Sequence, residues 1–162
     1  MRVLYSACVI AALLAAVAPA RAADSAKSGE AYRTAQKAFL DENEKRPGWH
    51  KTASGLEYHA LKNNSGPWPW YPQRSLVTVN YEGRLIDGTV FDSSYQRGEP
   101  ATFDLSGLIK GWQEGIPMMR IGETWEFAIP AALAYGDRGA GPIPGGATLL
   151  FKIDLLDAKA QR

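Results

Sequence analysis

The side chains able to carry bond-breaking chemistry are few, and their spacing does not suit it. Histidine occurs twice, as His50 and His59, and cysteine once, as Cys8. Cys8 lies within an apolar N-terminal stretch, so the rest of the chain offers no thiol for catalysis, metal ligation or a disulfide framework. A zinc site needs several ligands at definite spacing, and none is present in the sequence. Neither a G-x-S-x-G nucleophile elbow nor a phosphate-cradling G-x-x-x-x-G-K-S/T loop occurs. Asp87, Asp92 and Asp104 follow no pattern of paired acid and base carboxylates. What the chain does offer is a set of aromatic residues: Tyr81, Phe91, Phe103, Trp112, Tyr135 and Phe151. Aromatic side chains fill cores and also line apolar pockets, and their spacing leaves both readings open.

The elements that must position these residues read mainly as strands. Leu56, Tyr58 and Ala60 alternate with Glu57 and His59, which places the latter two on the outward side. The same period of two runs through Val77, Val79 and Tyr81, through Trp125, Phe127 and Ile129, and through Leu149, Phe151, Ile153 and Leu155. Such alternation predicts an antiparallel sheet with one buried face. Asp87-Gly88 marks a tight turn between strand-like segments. One segment, Leu108 to about Met118, reads as a helix, kept short by Gly111 and Gly115. The expected fold class is therefore α+β, a sheet folded over one helix. In the Gly66–Pro72 stretch, Trp68 and Trp70 are expected to pack on the domain edge.

Upstream, residues 24 to 44 form an alanine-rich helical segment with Tyr32, Ala35 and Phe39 on one face and Ala31 and Ala38 beside them, stopped by Pro47-Gly48. A stripe of this width cannot form its own core, so the helix must dock on the domain, pair with a second copy as a homodimer, or fray. Residues 1–22 have another character. Met1-Arg2, the apolar run Val9 to Val17, Pro19 and Ala20-Arg21-Ala22 match a secretory signal cleaved after Ala22. The run is short for a membrane span. The expected organisation is a signal peptide over 1–22, a helical extension and linker over 23–50, and one domain over 51–162. A formal net charge of +1 with a pI of 7.8 supplies no basic field for nucleic acid.

Four stretches in order, VTVNYEGRLIDGTVFDSS, GLIKGWQEG, RIGETWEFAIP and LAYGDRGAGPIPGGATLLF, resemble the FKBP-type peptidyl-prolyl cis–trans isomerases. The resemblance covers about Gly55 to Ala158, and the helical leader is similar to the exported bacterial, Mip-like subgroup. It implies an antiparallel sheet wrapped over one short helix and an isomerase acting on X–Pro bonds of exported polypeptides, in the periplasm of a Gram-negative bacterium. It implies binding of the macrolides tacrolimus and rapamycin, and neither a metal nor a cofactor. The family pocket falls on Tyr81, Phe91, Asp92, Phe103, Leu108, Ile109, Trp112, Tyr135, Ile143 and Phe151. Trp112 would be the floor, Tyr81, Phe91 and Phe151 the walls, and Asp92 the polar handle. The Ile109 N–H and the Tyr135 hydroxyl would bind peptide carbonyls, with Phe91, Asp92 and Tyr135 in the catalytic roles. Between Tyr135 and Ile143 the flap is one residue shorter than in small eukaryotic members. Ala140-Gly141 stands where many of those carry histidine, and Pro144-Gly145-Gly146 where a second proline is common. Alternatives from other classes are a holdase without catalysis on the same fold and a dimeric adaptor organised by the leader helix.

Overall fold

The computed structural model describes residues 29–69 and 75–160. The signal-type segment and Trp70 lie outside the described residues. Helix α1 spans Glu30–Asn43 and is followed by strands β1 (Trp49–Lys51), β2 (Glu57–Lys62), β3 (Ser75–Leu85) and β4 (Val90–Ser93). Next come the short helix α2 (Ser94–Arg97), strand β5 (Ala101–Asp104), helix α3 (Lys110–Gly115), and strands β6 (Thr124–Ile129) and β7 (Leu149–Ala160). The strands form a seven-stranded antiparallel sheet in the order β1-β2-β6-β7-β3-β4, with β5 also paired to β3. Strands β5 and β4 share one edge of β3: β5 takes Leu76 to Val79 and β4 takes Glu82 to Arg84. This is the α+β architecture that the alternating segments predict.

Burial alternates along the whole of β3, as a half-buried strand requires. Its inner face joins Phe127, Ile129, Leu149, Phe151, Ile153 and Leu155 in one core, into which α3 lowers Trp112 and the turn after it lowers Ile116. Helix α3 is shorter than its sequence suggests. Leu108 and Ile109 are extended, Ile109 acting as N-cap at ψ 150°, and a 3-10 turn replaces the α-helix over Ile116–Met118. Pro117 lies in that turn and has no N–H for an α-helical bond. Gly111 and Gly115 limit helix propensity, yet the packing requires them. A β-carbon at Gly111 would lie 2.5 Å from the Ile129 side chain, and one at Gly115 would lie 2.5 Å from the Phe127 ring. Their absence brings the α3 backbone onto β6.

Helix α1 docks on the opposite face of the sheet, but not by the alanine stripe. Ala31, Ala35 and Ala38 are exposed, whereas Gln36 and Asn43 are buried. Asn43 is held through its amide nitrogen and Gln36 through its oxygen, while the Gln36 Nε2 is buried without a partner among the described residues. The Gln36 Oε1 accepts from the Thr148 N–H at 2.8 Å, and the Asn43 Nδ2 donates to the Glu57 Oε2 at 2.8 Å. A hydropathy pattern scores amides as outward-facing, so periodicity finds the half-buried Tyr32 and Phe39 of the docking face but misses Gln36 and Asn43 beside them. Glu57 is a second correction of the same kind: the outward side of β2 lies beneath α1, and Glu57 is 0% exposed. His59, placed outward by the alternation, is half-buried against Trp49 at a ring separation of 5.7 Å. Trp68, expected to pack on the domain edge, is 57% exposed and carries the Arg120 guanidinium 4.9 Å over its ring.

Burial pushes the Glu57 carboxyl above the usual glutamate range, opposed by the Asn43 hydrogen bond and the Lys51 charge, with Glu44 adding to the rise. Lys51 Nζ stands 3.7 Å from Glu57 Oε1 and 2.7 Å from Glu44 Oε2. The folded state thus holds the Glu57 proton more tightly than the unfolded chain. Its contribution to stability is complete below the unfolded pKa and is lost as pH rises through the raised folded value. Glu57→Gln keeps an acceptor for Asn43 and removes the buried charge. Its denaturation midpoint should fall less than that of the parent between about pH 4 and pH 7, the range above an ordinary glutamate pKa. Equal slopes in urea titrations across that range would count against a charged, buried Glu57.

Candidate functional site

Strand alternation points Tyr81 and Phe151 from neighbouring strands to the inner face, over the Trp112 indole supplied by α3. The Trp112 ring meets Tyr81 at 5.3 Å, Phe151 at 5.1 Å and Phe103 at 6.0 Å, each edge-on. Phe91 from β4 meets Phe151 edge-on at 5.6 Å. This edge-to-face arrangement sets ring hydrogens against neighbouring π-faces and holds the rings apart as walls. Gly83, in register with Asp92 and Phe151, makes room for both outer rings. A β-carbon there would lie 2.6 Å from Phe91 and 2.7 Å from Phe151.

The walls enclose a cavity of about 510 Å³ that opens to solvent. All ten residues expected from the sequence line it: Tyr81, Phe91, Asp92, Phe103, Leu108, Ile109, Trp112, Tyr135, Ile143 and Phe151. Trp112 is buried at the bottom, and Tyr135 stands at the rim, 41% exposed. The Ile109 carbonyl caps α3 by accepting from the Trp112 and Gln113 N–H groups at 3.0 and 3.1 Å. Its own N–H makes no backbone hydrogen bond among the described residues. Gln113 fixes this loop from below, donating from Nε2 to the Leu108 carbonyl at 2.6 Å and to the Ser106 carbonyl at 3.2 Å.

One polar group enters the aromatic wall, and the structure shows what holds it. Asp92 accepts a hydrogen bond from the Tyr81 hydroxyl and a salt bridge from Arg97 Nη1, while Arg97 Nη2 donates to the Tyr81 hydroxyl at 3.0 Å. Burial works to raise the Asp92 carboxyl, but the Tyr81 hydrogen bond and then the Arg97 hydrogen bond and charge outweigh it, so it titrates below the usual aspartate range. The Tyr81 hydroxyl is shifted upward, by burial first and then by its bond to Asp92. Asp92 is thus an anion with both oxygens engaged, suited to setting a local field and poorly suited to taking up a proton.

Sequence reasoning missed Arg97, although the sequence carried a signal for it. Ser93-Ser94-Tyr95-Gln96 fits a capping box and Gly98 an αL stop, and the Ser93 side chain accepts from the Gln96 N–H at 3.3 Å. A helix as short as Ser94–Arg97 has no periodicity, so only its caps betray it. Also missed were Gly107, Ala140, Gly141 and Pro142, which complete the rim. The last three lie at the tip of the flap, where Ala140 and Ile143 exchange backbone hydrogen bonds of 3.0 and 2.9 Å. Below the tip, the Gly146 N–H donates to the Gly136 carbonyl at 2.9 Å and closes the base of the flap.

Comparison with known proteins bears on the whole arrangement. A family described as FKBP-type peptidyl-prolyl cis-trans isomerase matches residues 71–156, and a domain amino terminal to FKBP-type peptidyl-prolyl isomerase matches residues 4–60. The peptidyl-prolyl cis-trans isomerase Mip of Coxiella burnetii is 50% identical over 124 residues, 76% of this chain and 53% of that protein. The crystal structure of FkpA from Escherichia coli superposes with a TM-score of 0.78 at 36% identity, covering 86% of this chain and 64% of that one. A peptidyl-prolyl cis-trans isomerase from Pseudomonas syringae pv. tomato does so at 0.72 and 32% identity, covering 91% of this chain and 100% of that one. The chain spans about half the length of the curated relatives it matches. The family match runs from before β3 into β7 and so takes in every residue expected in the cavity, and by that match and these relatives the chain belongs to the FKBP-type peptidyl-prolyl cis–trans isomerase family.

Proposed function

We propose that this protein rotates X–Pro peptide bonds in exported polypeptides and that the aromatic cavity is where the bond turns. The observation that carries the reading is the cavity floored by Trp112, walled by Tyr81, Phe91 and Phe151, with Asp92 held at its side by Tyr81 and Arg97. An X–Pro bond exchanges slowly, over about tens to hundreds of seconds, because rotation breaks amide conjugation. In the perpendicular transition state the nitrogen is pyramidal and the carbonyl more ketone-like. No bond to a heavy atom forms or breaks, so neither a nucleophile nor a metal is called for.

A proline ring resting on Trp112 leaves water, and the apolar walls favour the less polar twisted amide over the planar one. The Ile109 N–H and the Tyr135 hydroxyl are placed to hold carbonyl oxygens on either side of the turning bond. Donors contribute to rate to the extent that they bind the twisted geometry better than the planar one. The Asp92 anion acts by its field and by positioning Tyr81. The same cavity accommodates tacrolimus and rapamycin, whose rigid apolar cores would occupy the proline position. The N-terminal signal pattern supports action outside the cytoplasm, in the periplasm. Protein recovered from the periplasmic fraction should begin at Ala23, and retention in the cytoplasm would count against export.

Exchange spectroscopy on a proline peptide tests the activity without a coupled protease. Micromolar protein should accelerate cis–trans exchange, and rapamycin should abolish the acceleration at stoichiometric amounts. Unchanged exchange with folded protein would sink the reading. If aggregation of a client were suppressed and this persisted with rapamycin bound, the binding-module alternative would stand in its place.

A further inference from the structure

We propose that helix α1 braces the flap, with Gln36 and Arg33 as positioning residues that set the rim of the pocket from the far side of the sheet. The flap leaves the domain after Tyr135 and returns at Thr148, and its tip supplies Ala140 and Ile143 to the cavity. Its internal backbone ties are few: the Gly139 N–H to the Tyr135 carbonyl at 3.2 Å, the Ala140–Ile143 pair, the Ala147 N–H to the Pro144 carbonyl at 3.4 Å, and the Gly146–Gly136 bond at its base. Helix α1 takes hold at that base. Gln36, 4% exposed, accepts the N–H of Thr148, which is 1% exposed, at 2.8 Å. One turn away, Arg33 Nε stands 3.4 Å from Asp137 Oδ1. The Arg33 side chain also lies over Gly146, where a β-carbon would meet its Cγ at 3.1 Å. Helix and flap base thus face each other across a shared groove lined by Arg33, Gln36, Asp137, Gly146 and Thr148.

Two contacts of the same helix allow this role to be separated from simple anchoring. At its other end α1 is held by Asn43 on Glu57, under β2 and away from the flap. Loosening the helix at Asn43 should leave the flap in place, whereas loosening it at Gln36 frees the returning strand of the flap directly. The flap contacts the peptide in both planar and twisted states, so a slack rim weakens binding of both and raises KM more than it lowers kcat.

The test compares Gln36→Ala, Arg33→Ala and Asn43→Ala in the full chain by amide hydrogen exchange and by peptide kinetics. Gln36→Ala should speed exchange at Gly139, Ala140, Ile143 and Gly146 by about tenfold, the scale of one lost buried hydrogen bond. It should raise KM for a proline peptide while kcat changes less. Arg33→Ala, at an exposed position, should act in the same direction more weakly and keeps the test open if Gln36→Ala folds poorly. Unchanged flap exchange in both variants, or an equal change in Asn43→Ala, would overturn the brace. The kinetic arm rests on the isomerase reading and the exchange arm does not. An inactive parent protein with a flap loosened by Gln36→Ala would therefore refute the activity and leave the brace standing.

Discussion

Phe91→Ala should slow catalysed X–Pro exchange by about 10- to 100-fold, the equivalent of the roughly 1.5–3 kcal/mol of apolar contact that a phenyl side chain supplies. Phe91 reaches the cavity from β4, a short strand at the sheet edge, and is only half-buried. The core of β3, β6, β7 and α3 does not depend on it, so the variant should melt near the parent temperature and keep its circular dichroism. Loss of the ring opens the wall beside Phe151 to water, and the site then no longer discriminates in favour of the less solvated twisted amide. Exchange spectroscopy at matched concentrations reads the result. A folded Phe91→Ala protein with full activity would show that the bond turns somewhere other than this cavity.

The largest effect on stability is expected at two positions where helix propensity argues for a gain. Substituting alanine for glycine inside a helix normally stabilises by about 1 kcal/mol. At Gly115 the added methyl would lie 2.5 Å from the ring of Phe127, itself 2% exposed, and at Gly111 it would lie 2.5 Å from Ile129, 0% exposed. Overpacking of this kind costs about 1–3 kcal/mol per site, so the steric loss outweighs the propensity gain. Gly111→Ala/Gly115→Ala should therefore unfold at lower urea than the parent with an unchanged m-value. Because α3 carries Trp112, the shift should also reach the pocket floor and change the indole fluorescence. A double variant as stable as its parent would show that α3 lifts off β6 at no cost.

The capped turn at Ser93–Gly98 shows how close some of the rest came to being legible. Its start and stop residues are present in sequence, but a single turn leaves no periodic trace, and nothing local says that Arg97 returns to Asp92 and Tyr81. Glu57 and Gln36 were hidden for another reason. Hydropathy assigns a carboxylate and an amide to the outside, and only a partner placed opposite by the fold reverses that assignment.

By itself the sequence determined the sheet, the single inner helix and the aromatic set, because alternation at period two and the order of the motifs are local properties of the chain. The same local information left open which face of α1 docks, what holds Asp92 and what fastens the flap. Those depend on pairs such as Gln36 with Thr148, which are 112 positions apart and meet only when the sheet has closed between them. Tertiary structure also reversed the meaning of Gly111 and Gly115, from weak points of a helix to the contact that lets it approach the sheet. Propensity is a property of one residue, whereas the space for a methyl group belongs to the two surfaces that meet there.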